Sequence, residues 1–162
     1  MALSSLIRTG RARLPAWKPA LGAGIAIGFL ALMHDYGVLA YLIAPLGASA
    51  TLVWMLPKSP LARARAVVGG SLVSAIVGFL ILGLAHVSPV SLGLAVGLAI
   101  LAMALLDLLH APAGALPLVI ATHHPEPLPF LATLVVSTVA LVLLGIAYQY
   151  LAQPKSSAPQ SP

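Results

Sequence analysis

Between residues 19 and 151 the chain is a series of apolar stretches, and none of its Lys or Arg residues falls inside one. The stretches run over about 20–36, 38–56, 66–85, 89–106, 107–122 and 128–151. A membrane-spanning helix needs ~20 apolar residues at a rise of ~1.5 Å each. The chain therefore has material for at most about six crossings. Charged residues make up 7% of the sequence and the mean hydropathy is +1.07. An ordinary soluble domain carries ~25% charged residues. Eight basic and three acidic side chains cannot coat a soluble globule of 162 residues, which excludes a soluble enzyme. No stretch alternates with period two, and Leu and Ala dominate, so strands are not expected. The fold class is all-α integral membrane, a small helical bundle in one transmembrane domain over 19–151.

Residues 1–18 hold Arg8, Arg11, Arg13 and Lys18 and are predicted to be a basic, cytoplasmic, surface-lying segment. A signal peptide is the rival. It is disfavoured because the following apolar run ends in Met33-His34-Asp35-Tyr36, without a small-x-small cleavage site. Residues 152–162 are mostly Gln, Pro and Ser and are predicted to be a disordered tail. The absence of Cys excludes thiol chemistry and thiolate metal sites. The net charge of +5 sits wholly outside the apolar stretches, which suits lipid headgroups and topology and not nucleic acid.

The second and fifth stretches resemble each other. Ala44-Pro45-Leu46-Gly47-Ala48 matches Ala111-Pro112-Ala113-Gly114-Ala115 at an offset of 67 residues, from 45 to 112. The same offset, ungapped, pairs Pro60 with Pro127 and Gly78 with Gly145. Unrelated Leu/Ala-rich helices would match at some positions, but two Pro pairs and two Gly pairs in register favour a duplication. With all six stretches spanning and the N-terminus inside, every Lys and Arg lies on the cytoplasmic side. His34, Asp35, His86, His123, His124 and Glu126 lie on the other side, a complete positive-inside pattern. Re-entrant second and fifth stretches would break that pattern, although the Pro/Gly interruptions keep them open as an alternative. Three spans per repeat make the second repeat enter from the opposite face, a 3+3 inverted repeat. A bacterial inner membrane is the expected location. Trp17, Trp54, Tyr148 and Tyr150 are expected to anchor at the interfaces.

Pro inside a helix removes a donor and clashes one turn back, yet it is well placed as a first helical residue. Pro45 and Pro112 are therefore predicted to start half-helices whose N-termini face each other near the midplane. Half-helix N-termini carry partial positive charge and unpaired N–H groups, which suits a small anion. The candidate binding residues are Pro45, Gly47, Ala48, Ser49, Thr51, His110, Pro112, Gly114 and Ala115. Gly47, Ala48, Gly114 and Ala115 leave room, and Ser49 and Thr51 add hydroxyls. His110, beside the second break, is placed to donate to the anion or carry its proton, with Asp107 one turn earlier as the second proton-coupling candidate. The competing account is a pair of packing kinks, with Asp107 a cap at an interface. His123, His124 and Glu126 invite a metal assignment, but adjacent histidines in a turn rarely face one ion, so no metal and no cofactor is expected.

These residues also carry a resemblance. Ala44-Pro45-Leu46-Gly47-Ala48-Ser49-Ala50, then Leu56-Pro57-Lys58-Ser59-Pro60-Leu61-Ala62 and Gly69-Gly70, then Leu109-His110-Ala111-Pro112-Ala113-Gly114-Ala115 resemble the HPP family of integral membrane proteins over roughly 20–150. The family signature is His-Pro-Pro followed by Ala-Gly-Ala; here Ala111 replaces the first Pro. Members are usually described as four-span transporters, and plant and cyanobacterial relatives are associated with nitrite. The resemblance implies transport, nitrite being the best-named substrate. The expected function is thus a transporter or channel for a small inorganic anion in the lipid bilayer, not an enzyme. The alternative is a non-transporting membrane module packed against a partner subunit. A homo-oligomer is left open, because 162 residues give little material for a pore.

Overall fold

A computed structural model of the chain describes residues 17–152. Arg8, Arg11, Arg13 and Lys155, with most of the basic lead and the whole tail from 153, lie outside the described residues. All six expected segments are helical at least in part, and no strand occurs among the described residues. Helix α1 is Trp17–Asp35 and α2 is Pro45–Met55. A short 3₁₀ turn, Pro60–Ala62, follows. A π-helical turn, Ala66–Gly70, runs into α3, Ser71–Leu84. Then come α4, Pro89–Leu105, a 3₁₀ turn Ala111–Ala115 that continues as α5, Leu116–His123, and α6, Pro127–Ala152.

The second and fifth segments are helical over only half their length. Pro45 has no N–H to give a preceding turn, so α2 begins there and residues 38–44 stay non-helical. Its 11 residues cover roughly 16 Å, about half of a ~30 Å hydrocarbon core. At the fifth segment α4 stops at Leu105, and Asp107, at φ 54°, turns the chain in the left-handed region. Regular α-helix resumes only after the 3₁₀ turn that holds Pro112. Each broken segment thus pairs a non-helical entry with a helical exit. Ser88 caps α4 in a reciprocal box with Ser91.

The helices turn many large apolar residues outward, while small and polar residues share the interior with Leu30, Met103, Phe130 and Leu134. In α4, Ser91, Ala95, Ala99 and Met103 are buried, whereas Leu94, Leu98, Leu101 and Leu105 are exposed. In α1, Ala26 and Leu30 are buried while Leu21, Ile25, Phe29 and Leu32 are exposed. In water that surface would aggregate; against acyl chains it is the ordinary outside of a membrane protein, with small residues at the helix contacts. The helices Ala66–Leu84 and Pro127–Ala152 are each long and apolar enough to cross a membrane.

Helix α2 packs between α1 and α6, and α5 packs between α3 and α4, with α3 and α6 touching at the centre. Gly78 on α3 lies under Pro117 and Ile120 of α5, and Gly145 on α6 lies under Val53 and Trp54 of α2. Both partners of the first contact recur in the second at the same offset of 67, Gly78 to Gly145 and Val53 to Ile120. One expected anchor is placed differently. Trp54 is buried in the core against Tyr148, because Gly145 and Gly22 leave room for its ring, whereas Trp17 and Tyr150 are exposed.

The bundle has two chemically distinct ends. Arg65 pairs with Asp107, which brings the loop of Lys58, Arg63 and Arg65 to the end of α4. At the other end the backbone N–H of Glu126 donates to the Tyr41 hydroxyl, 3.2 Å away, joining residues 38–44 to the His123-His124 loop. The cationic loop and the histidine loop therefore sit at opposite ends, with α5 running between them.

Candidate functional site

The two breaks meet at one buried joint. Ser49 lies one turn into α2, and His110 immediately precedes the second 3₁₀ turn. Ser49 Oγ is 2.8 Å from His110 Nε2, and His110 Nδ1 is 2.8 Å from the Leu61 carbonyl. The ring is fully buried and Ser49 nearly so. A carbonyl only accepts, so Nδ1 carries the proton and Nε2 of the neutral ring accepts from the Ser49 hydroxyl. The Pro45 carbonyl, 3.2 Å from Ser49 Oγ, is the second acceptor within reach of that hydroxyl. His110 thus ties α2 to the 3₁₀ turn after it and to the second break.

The remaining freed backbone groups find hydroxyls on the two central helices. Ser74 Oγ on α3 donates to the Ala113 carbonyl at 2.7 Å, and the Ala40 N–H donates to Thr133 Oγ1 on α6 at 3.2 Å. Gly70 lets α3 approach the second break so closely that a Cβ there would overlap the Leu108 carbonyl and crowd His110 Cβ at 3.0 Å. Neighbouring hydroxyls and close packing are how a membrane protein keeps a non-helical segment.

The first turns of the half-helices are less open than their sequence suggests. The Leu46 N–H is bonded to the Ile43 carbonyl at 3.0 Å and the Gly47 N–H to the Ala44 carbonyl at 3.1 Å. At the second break the Ala113 N–H is bonded to the His110 carbonyl at 3.0 Å. These are i→i+3 bonds, so the tight turns supply the partners that the orphan donors of a helix start otherwise lack.

The joint draws together Pro45, Ser49 and His110 and leaves other expected residues elsewhere. Gly47, Ala48 and Thr51 are exposed along one face of α2, and nothing lies within 4 Å of a Cβ built on Gly47. The Thr51 hydroxyl is turned back onto the Gly47 carbonyl at 3.1 Å. Pro112 is buried, whereas Gly114 and Ala115 are half-buried. Asp107 is an exposed ion-pair partner of Arg65. No group of three or more His, Asp or Glu side chains gathers for a metal ion among the described residues. Leu61, Ser74 and Thr133 support the site without having been expected there. The two hydroxyls were visible as polar residues inside apolar stretches; a backbone carbonyl leaves no signal at all.

A second feature lies at the histidine end. A pocket of about 230 Å³ opens between residues 40–44 and 119–125, with Ala44, the residue before Pro45, in its wall. His34, Tyr41, Val119, His123 and Phe130 contribute to its wall.

Comparison with known proteins adds two findings. The family model described as "HPP, transmembrane region" matches residues 10–159. A transmembrane protein of Dictyostelium discoideum is 40% identical over 108 residues, which is 61% of this chain and 34% of that protein. The chain thus spans about a third of the length of that curated relative. No solved structure matches the chain.

Proposed function

The chain belongs to the HPP transmembrane family, and on that premise we propose that it is a transporter or channel for a small inorganic anion, with nitrite as the first substrate to test. The observation that carries this is the Ser49–His110 joint, a proton-bearing group fully buried where two half-helices meet. Ionisable groups inside a membrane domain are costly and mark pathways more often than packing.

The joint can take up a proton without losing its hydrogen bonds. With His110 neutral, the Ser49 hydroxyl donates to Nε2. With His110 protonated, Nε2–H donates to Ser49 Oγ, and the serine hydrogen turns to the Pro45 carbonyl or to an oxygen of the anion. The half-helix dipoles at Pro45 and Pro112 add positive potential. The i→i+3 bonds of their first turns are weak enough for an anion to replace. In this scheme Ser49, His110 and the turns at Pro45 and Pro112 bind substrate, Gly114 and Ala115 flank the second turn, Gly47, Ala48 and Thr51 stay on the outer face of α2, and Asp107, paired with Arg65, passes the proton to water at the cationic end. The domain is a 3+3 inverted repeat, supported by the matched Gly78 and Gly145 contacts. Positive-inside bias puts the cationic loop and the N-terminus in the cytoplasm of a bacterial inner membrane.

A second reading has its own observation. The exposed small face of Gly47, Ala48 and Thr51 suits a membrane module that packs against another subunit, a second copy included. Nitrite uptake by proteoliposomes separates the two. The transport reading expects uptake above empty vesicles, with His110→Ala lowering uptake per folded molecule at least tenfold. Uptake equal to that of empty vesicles refutes it.

A further inference from the structure

The pocket at the histidine end uses none of the joint's side chains. It holds two imidazoles from different parts of the chain, His34 near the end of α1 and His123 at the end of α5. Each ring has one nitrogen committed to a backbone carbonyl. His34 Nδ1 is 2.8 Å from the Leu39 carbonyl, and His123 Nδ1 is 3.1 Å from the Val119 carbonyl. Carbonyls only accept, so His34 carries its hydrogen on Nδ1. His123 Nδ1 also lies 2.8 Å from Thr122 Oγ1, whose own hydrogen goes to the Leu118 carbonyl at 2.9 Å, so the ring hydrogen is assigned to Nδ1 there too and Nε2 is the free nitrogen of each. When neutral, that nitrogen is a lone pair and repels an anion. When protonated, it becomes a charged donor.

The rest of this end sharpens the switch. Asp35 follows His34 directly, and Glu126 follows the His123-His124 pair. Among the described residues no Lys or Arg lies between 34 and 44 or between 119 and 127. Tyr41 offers its hydroxyl, which accepts from the Glu126 N–H, and α6 presents Phe130. With neutral imidazoles the fixed charges of this end are the two carboxylates, and they exclude anions. Anion binding here therefore demands protons.

We propose that this pocket is a proton-dependent anion-capture vestibule, in which a small inorganic anion is held by the Nε2–H groups of protonated His34 and His123. It deepens the transport reading and rests on it for the purpose of the capture, since Ala44, the residue before Pro45, lies in the pocket wall; the binding itself is measurable without transport. No bond is made or broken beyond the two proton transfers from hydronium or a buffer acid to nitrogen.

The test uses the full chain purified in detergent, titrated calorimetrically with sodium nitrite and with sodium chloride at pH 5.5, 6.5 and 7.5, each in two buffers of different ionisation enthalpy. Each proton coupled to binding tightens association by up to about tenfold per unit fall in pH. Binding that tightens at least tenfold from pH 7.5 to 6.5, with proton uptake on binding, is expected. The His34→Gln/His123→Gln double variant should lose that pH dependence, while His86→Gln should keep it. If the double variant fails to fold, His123→Gln alone, whose ring is exposed, should roughly halve the proton uptake. Affinity independent of pH, pH dependence retained in the double variant, or no anion binding at any pH would overturn the proposal. So would stoichiometric Zn²⁺ binding, lost in the same variants, in the absence of anion binding. pH-linked anion binding in a protein that moves no nitrite across vesicles would refute transport and leave the vestibule standing.

Discussion

Removing both partners of the Ser49–His110 contact should cost much less than the two single losses added together. Ser49→Ala deletes one hydroxyl and leaves Nε2 of a fully buried ring without a donor. The ring cannot flip to recover, because Nδ1 is held at 2.8 Å by a carbonyl that must receive a hydrogen. An unpaired buried acceptor costs ~1–3 kcal/mol. His110→Ala leaves the Leu61 carbonyl unpaired and opens a cavity where the ring was, ~3 kcal/mol or more. In that variant the Ser49 hydroxyl turns to the Pro45 carbonyl at 3.2 Å, so it is not orphaned. The double variant contains no stranded Nε2, and Ser49→Ala then adds almost nothing.

The coupling energy should therefore equal most of the single Ser49→Ala cost. Polar pairs in membrane proteins average ~0.6 kcal/mol by such cycles, with a ceiling of ~1.7. A pair with one partner fully buried and no alternative donor belongs near that ceiling, so ~1–2 kcal/mol is expected. The measurement is a double-mutant cycle of unfolding free energies in mixed detergent micelles, with helicity followed by circular dichroism. Additivity of the two single losses within ~0.5 kcal/mol would refute the proton placement on His110 and the contact with it.

Cysteines placed at Ser59 and Glu126 should label from opposite sides of sealed vesicles, the first from the cytoplasmic side; labelling of both from one side would end the six-crossing account. Gly70→Ala should reduce folded protein sharply, because its Cβ would overlap a backbone carbonyl that cannot move away, whereas Gly47→Ala, with nothing within 4 Å, should fold like wild type; yields in detergent decide. Ser74→Ala should lower the melting temperature by leaving the Ala113 carbonyl unpaired, a loss of ~1–3 kcal/mol, while Thr122→Ala, exposed at the end of α5, should leave it unchanged.

Much of this architecture was legible because membrane insertion imposes simple rules. Apolar length located all six segments, and Pro45 and Pro112 located both breaks, since a residue without an N–H cannot hide inside a helix. The Arg65–Asp107 pair and the Tyr41–Glu126 contact gather the described cationic loop and histidine loop at two ends, and which of them is cytoplasmic is what the cysteine labelling decides. What failed to show was the closure of the first helical turns. Composition reports that donors exist, but only coordinates reveal that Ile43 and Ala44 already accept from them. Trp54 illustrates a second blind spot: an indole near a segment end looks interfacial until Gly22 and Gly145, far away in sequence, open space for it inside. The small residues of α2 are a third. Gly47 and Ala48 signal close approach in sequence, but which face of the helix they take depends on the neighbours of α2, and that face is exposed.

The way the breaks are held bears on why they exist. A continuous helix satisfies its own backbone and asks nothing of its neighbours. Here the first break takes a hydroxyl from Thr133 on α6, in the other half of the chain. The second takes one from Ser74 on α3, again from the opposite half. His110 is spent on the Leu61 carbonyl, and a glycine at position 70 is required where α3 passes the Leu108 carbonyl. Simple packing kinks need small residues and little else. A pair of kinks that draws on the hydroxyls of Thr133 and Ser74, the His110 imidazole and Gly70 asks more of its neighbours than a continuous helix would. Non-helical backbone at membrane depth persists where it is buried in protein or borders water, and the one next to Pro45 borders the 230 Å³ pocket. On the transport reading, this polar support is what a solute path past the joint would need, whereas a purely structural bend would need less of it.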